Sequence, residues 1–195
     1  MIFSILEVEN LFTNVKFLKL LLESYQILGR NDEAKKIIEK IIENNYDDTS
    51  VLEVTYEYYK RRSSKMSFEI VSKIYEIDNS LINKIRKDYY EYKSSDFYYT
   101  DNISISELEN NLVITGLLRK LKDNHLILNE KINQDKNNDL FHKYLFNISR
   151  DLITYNYKKI DNSERIIYYE SGLNSIKKLI DLNPENPEYY NDYAY

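Results

Sequence analysis

Two histidines, His125 and His142, are the only imidazoles in the chain, and imidazole is the side chain best suited to bind a metal or move a proton near neutral pH. They fall in different predicted helices with no His-x-x-x-His or Glu-x-x-His spacing, so each reads as a surface or interhelical histidine rather than a ligand. Asp135, Asn137 and Asp139 have the alternate spacing of the first half of a calcium loop. Leu140 stands where such a loop needs glycine and Phe146 where it needs a bidentate glutamate, so the segment reads as a solvated connection.

The densest positive charge is Lys60, Arg61 and Arg62 with Lys65, beside Tyr58 and Tyr59. Such a cluster could receive a phosphate or an acidic peptide tail. The preferred reading is simpler: cations at a helix C-terminus, where the dipole favours them. Tyrosine pairs at 89 and 90, 98 and 99, 168 and 169, and 189 and 190 could stack on bases or proline-rich peptides, but helical spacing favours core packing by one ring of each pair. The sequons at Asn102 and Asn147 carry little weight without a secretion signal. No glycine-rich phosphate loop, nucleophile elbow or zincin pattern is present. The chain is therefore expected not to be an enzyme and to need no metal and no cofactor.

The elements that must carry these residues are helices. Three glycines, two prolines and no tryptophan are too few punctuators for a sandwich, a barrel or a Gly-rich nucleotide fold. The absence of cysteine closes disulfide, thiolate and zinc-knuckle chemistry. A net charge of −5 disfavours general nucleic-acid binding, which requires surplus cations to displace phosphate counterions. Glu7 and Glu9 interrupt the N-terminal apolar run and no basic stretch precedes it, so a signal peptide is not expected. No apolar run approaches the roughly 20 residues that span a bilayer. Partners are thus expected to be proteins or peptides, with no nucleic acid and no membrane, and a cytoplasmic location is the default.

Apolar residues Leu18, Leu21, Leu22 and Tyr25 recur at steps of three and four and predict a first helix. Gly29 marks a turn, Asn31 an N-cap, and Asp32 and Glu33 the acidic first turn of a second helix carrying Ala34, Ile38, Ile41 and Ile42 on its inner face to about Glu43. A second pair spans about 49–80, with Leu52, Thr55, Tyr56 and Tyr59 facing Ser67, Val71, Ile74 and Ile77. A third begins with Leu81, Ile82, Ile85, Tyr89 and Tyr92. After a long connection, its second helix is expected from Ser104, capped by Ser104 and Glu107, through Leu108, Leu112, Leu118 and Leu121 to about Ile132. A fourth pair runs from Leu140 to Tyr157 and from Ser163 to Leu182.

The unit at 15–48 resembles the tetratricopeptide repeat, a helical hairpin with a period of roughly 34 residues. With Ala34 on the family's signature small residue, Leu18, Leu21, Tyr25, Ile38 and Ile41 take the other buried slots, while Leu22 and Tyr46 depart from the pattern. Gly172, Ile176, Leu179, Leu182 and Pro184 match a second repeat helix, and Tyr190, Tyr193 and Ala194 the opening of a further repeat. The resemblance is strongest at 15–48 and 163–195 and extends to 49–80.

What it implies is an all-α, right-handed superhelical stack of antiparallel helical hairpins. It divides into a lead-in helix at 1–14, two hairpins at 15–82, a degenerate hairpin at 83–136, and a final hairpin with the start of another repeat at 137–195. Its implied work is protein–protein interaction, with a peptide held in the concave groove lined by first helices. Matching slots gives Lys16, Lys19, Glu23, Glu53, Glu57, Lys60, Arg61, Asn83, Arg86 and Tyr90 as groove residues. This mixed-charge set lacks the dense basic clamp that chaperone-binding members turn on acidic C-terminal tails. Two alternatives stand beside it: a sensor or oligomerisation arm whose working domain lies beyond residue 195, and self-association through uncovered terminal helices.

Overall fold

The computed structural model describes residues 15–45, 48–95, 112–155 and 161–194. Among these residues the regular structure is entirely helical: α1 Val15–Ile27, α2 Asn31–Asn45, α3 Thr49–Tyr59, α4 Ser64–Ile77, α5 Leu81–Ser94, α6 Leu112–Gln134, α7 Asp139–Tyr155, α8 Asn162–Leu182 and α9 Pro187–Ala194. None of them is long and apolar enough to cross a membrane. The chain divides into two compact units, Met1–Asn83 and Lys84–Tyr195.

In the first unit, α1 ends because Gly29 adopts φ +68°, a left-handed conformation open to glycine at little cost. The Arg30 N–H then reaches back to the Tyr25 carbonyl at 2.8 Å, closing the helix in the manner of a Schellman motif. Ala34 N–H bonds to the Arg30 carbonyl, so Arg30 holds the cap position and Asn31, expected there, is the first helical residue. Leu18, Ala34 and Ile38 are fully buried. Leu18 packs on Val51 with Ile37 beside them, joining α1, α2 and α3 in one core. Asp48 caps α3 through the Ser50 and Val51 amides, and Ser63 caps α4 through Met66. Ile77, expected on the inner face, is 48% exposed, because α4 ends there and no further turn folds over it.

The second unit holds the remainder of α5 and helices α6 to α9. Tyr89 and Tyr90 are both buried, their rings edge to face at 5.3 Å, whereas the pair pattern anticipated one. Tyr89 also meets Tyr144 of α7 edge-on at 5.9 Å, so α5 is covered on more than one side. On α6 the buried row is Ile114, Leu117, Leu121 and Leu128. Leu112, expected in that row, is 85% exposed and Leu118 is half-buried. The helix carries two competing apolar rows, and the one that includes Asn124 and His125 is chosen because both polar groups find partners inside. The expected start at Ser104, its Glu107 partner and Leu108 lie outside the described residues.

Asp161 caps α8 by accepting the Glu164 amide. Helices α7 and α8 pack along their length, with Gly172 against Ser149 at the crossing. Phe146, Ile176 and Leu179 form a core that Tyr189 of α9 covers in part. Helix α9 buries no residue fully and leaves Tyr190 and Tyr193 exposed.

Candidate functional site

The residues matched to a groove do not share one environment. Glu53, Glu57, Lys60 and Arg61 recur at helical spacing along α3 and its C-terminal turn, with Glu57 and Lys60 ion-paired. Arg61, Glu57 and Glu23 are exposed, and Glu53 and Lys60 half-buried. Asn83 is buried and works inside the chain, its amide donating to the Asp78 carboxylate at 2.8 Å and the Asp78 carbonyl at 3.1 Å. Arg86 and Tyr90 are buried as well, which closes all three to a partner in the chain as folded. The side chains of Lys16 and Lys19 lie outside the described residues. The basic turn is used structurally: Arg62 donates to the Tyr58 carbonyl at 2.7 Å and stacks over the Tyr58 ring at 4.3 Å, satisfying an end carbonyl of α3.

Polar chemistry concentrates instead between the helices of the second unit. Asp88 on α5 accepts from Asn124 at 3.1 Å and from Lys84 at 3.2 Å, and Lys120 bridges to Glu91 at 2.7 Å, tying α5 to α6. Asp151 on α7 is buried beside Lys93, Arg150 and Tyr89. Burial raises its carboxyl above the ordinary carboxylate range despite the opposing cations Lys93 and Arg150 and the Tyr89 hydrogen bond. Burial likewise lowers Lys93, with Asp151 pulling the other way. A carboxyl whose folded value is raised contributes stability below its unfolded value and loses it as pH rises through the folded one. Asp151→Asn is therefore expected to be at least as stable as wild type in urea unfolding at pH 7, an advantage that disappears near pH 4. A large loss at pH 7 would mean that the cations outweigh burial.

His125 is almost wholly buried on α6, edge-on to Tyr168 of α8 with centroids 4.7 Å apart. The Asn129 amide donates to the His125 backbone carbonyl at 2.9 Å and stands 3.2 Å from the ring Nδ1 and 3.5 Å from its Nε2. Burial pushes its pKa down to about 4.

Asn129 also lines a pocket of about 320 Å³ where α6 ends and α7 begins. Ile132 joins it from α6, His142 and Leu145 from α7, and Glu170 and Asn174 from α8. His142 is held by its Nε2, which donates to the Lys136 carbonyl at 3.0 Å, and its buried Nδ1 meets no partner among the described residues. The Lys136 carbonyl belongs to the connection at 135–139, whose spacing resembles half of a calcium loop. There Asp135 binds the Asn137 and Asn138 side of its own connection and Asn138 caps α7 through Phe141.

No family model, curated protein or solved structure matches this chain. Its reading therefore rests on its own geometry. Sequence spacing found the helices that frame the pocket but not the pocket, since Asn129, His142 and Glu170 come from three helices and are 13 and 28 residues apart. The one available signal was polar residues, Asn124 and His125, recurring in phase with the buried row of α6.

Proposed function

We propose that this chain is a protein–protein interaction scaffold built from tetratricopeptide-like helical hairpins, with a binding rather than a catalytic role. The observation that carries this reading is the packing sequence of the first unit. Helix α1 packs on both α2 and α3, α2 on α3, and α3 on α4, the neighbour pattern of hairpins stacked in register. Small Ala34 is fully buried where α2 joins this core, and the tight Gly29 turn sets the hairpin. Exposed Glu23, Glu57 and Arg61, with half-buried Glu53 and Lys60, form the mixed-charge face offered to a peptide or protein partner. The exposed Tyr190 and Tyr193 of α9 supply a second accessible surface.

The double variant Lys60→Glu, Arg61→Glu tests the face. It reverses two cations at the α3 terminus while leaving the buried row of α3 intact. Immobilised wild type is expected to retain a partner from its host lysate that the double variant loses. Rim charges act mainly on association, so the loss should be about tenfold or more and salt-sensitive. Retention of the same partner by both proteins would remove the α3 face from the binding surface.

A further inference from the structure

Helix α9 rests on a surface that α7 and α8 build by themselves. Helix α8 is complete before α9 begins: the Asn183 N–H closes it on the Leu179 carbonyl, and Pro184 follows. Beneath α9, Phe146 of α7 with Ile176 and Leu179 of α8 form an apolar floor on which Tyr189 packs. At the edge of that floor stands the Arg150 guanidinium. It lies over the Phe146 ring at 5.2 Å, donates to the Asn147 side-chain oxygen at 3.3 Å and approaches the Asp151 carboxylate at 3.8 Å. These contacts are all with α7, so they hold the cation in place without α9. Its Nη1 then donates to Asp192 of α9 at 3.4 Å. The seat is thus an apolar floor with a positive rim, filled by Tyr189 and Asp192, which lie three residues apart on one helical face.

The hold on α9 is slight. No described residue of it is fully buried, and the side chains of Arg150 and Asp192 remain 41% and 39% exposed. An ion pair so exposed shifts an equilibrium about fivefold at most. The eight residues of α9 are mostly Tyr, Asn, Asp and Pro rather than strong helix formers, and a helix shorter than about 12 residues is marginal in water without a surface to lie on. Helix α9 therefore leaves its seat far more readily than α7 parts from α8, along whose length it packs.

We propose that this seat is an exchangeable helix-binding site, at which α9 is displaced by a helix of a partner protein that carries an aromatic side chain and, three residues on, a carboxylate. The proposal rests on the binding role given above but not on the α3 face. The aromatic ring takes the floor and the carboxylate takes Arg150, as Tyr189 and Asp192 do in the resident helix. A helix with lysine in the second place meets a like charge. A second copy of the chain offers only the same α9, whereas each chain's own α9 is tethered beside its seat at an effective concentration in the millimolar range. A longer partner helix competes better, because it keeps its fold with less help from the seat.

Two measurements on the full chain test this. In amide hydrogen exchange, α9 is expected to be protected only about tenfold, against at least a thousandfold for the middle of α8. Equal protection of the two helices overturns the proposal. The second measurement is titration of the isotope-labelled chain with an acetylated, amidated peptide of residues 183–194, followed by amide shifts. The chain variant Tyr189→Ala, Asp192→Ala, whose own α9 is released, should bind the peptide about tenfold more tightly than wild type and shift amides near Phe146, Arg150 and Ile176. Both substitutions lie on α9, and unchanged amide shifts elsewhere in α7 and α8 check the fold. Asp192→Lys in the peptide should weaken its binding to the released chain about fivefold, and Tyr189→Ala should abolish it. Equal affinity of the two chains, or of the three peptides, overturns the proposal. A wild-type dimer at micromolar concentration that the released variant loses gives the seat to a second copy and overturns the assignment to a partner protein. Capture through the α3 face is read from Lys60→Glu, Arg61→Glu and does not involve α9, so failure here leaves that reading standing.

Discussion

Acidification from pH 7 to pH 4.5 is expected to destabilise the second unit through His125 alone, by up to about 3 kcal/mol. The imidazole is almost wholly buried against Tyr168, and burial lowers its pKa from 6.5 to about 4. In the unfolded chain the ring takes a proton as pH falls below 6.5, whereas the folded ring refuses it until about 4. Between those two values the unfolded state binds more protons, so folding stability falls as pH falls; above 6.5 the contribution is constant, and below 4 no more is lost. Each pH unit of that window removes at most about 1.4 kcal/mol. Carboxylates with lowered pKa values, such as Glu33 and Asp161, also lose their contribution in acid, so the comparison must be differential. Urea unfolding of wild type and His125→Leu at pH 7.5, 6, 5 and 4.5 provides it. The wild-type curve should descend more steeply than that of the variant, and an imidazole resonance should titrate near pH 4. Parallel curves, or a ring titrating near 6.5, would show that water reaches the histidine.

The same residue shows how far a sequence discloses its structure. Helical periodicity placed α1 and α2 to within about two residues and the α3–α4 pair as one unit, helped by a short turn and by caps such as Asp48 and Ser63, although α3 buries residues on more than one face. It failed on α6, where Leu112, Val113, Leu118 and Leu126 compete with Ile114, Leu117, Leu121 and Leu128 for the inside. Hydrophobicity alone cannot choose between two such rows. The choice was made by Asn124 and His125, which enter the core because Asp88 and Asn129 satisfy them, and those partners are fixed by tertiary packing rather than by spacing. His142 was visible as an imidazole, yet its neighbours Glu170 and Asn174 belong to a helix that begins 20 residues later. The groove set suffered in the other direction. A repeat register transfers solvent-facing slots faithfully only while the hairpins keep standard lengths, and Asn83, Arg86 and Tyr90 lie where that regularity lapses and are buried.

Gly172→Val is expected to cost about 3 kcal/mol, at the upper end of the range for overfilling a packed interior. Glycine inside a helix ordinarily weakens it by roughly 0.5–1 kcal/mol relative to alanine, so a buried glycine in the middle of α8 implies a compensating gain. The gain is close approach. A Cβ added at Gly172 would stand 3.1 Å from the Ser149 Cβ, 3.8 Å from its Oγ and 4.0 Å from the Phe146 ring. Ser149 is itself fully buried on α7, so neither side chain can swing into solvent. Valine's two methyls would push α8 away from α7 and loosen the Phe146, Ile176 and Leu179 core on which Tyr189 of α9 rests. Gly172→Ala sets the helix-propensity gain against the 3.1 Å contact, and the two should nearly cancel. Ser149→Gly relieves that contact by deleting the nearest atom. Combining it with Gly172→Ala should therefore show a favourable coupling of about 1 kcal/mol in a double-mutant cycle, as contacting residues do. Denaturant unfolding of the two single variants, the double variant and Gly172→Val measures all of these terms. Additive energies in the cycle, together with a valine variant as stable as wild type, would mean that α7 and α8 do not cross at Gly172. The crossing is also where the repeat resemblance puts a small residue, so the cycle bears equally on the hairpin stacking that the scaffold reading requires.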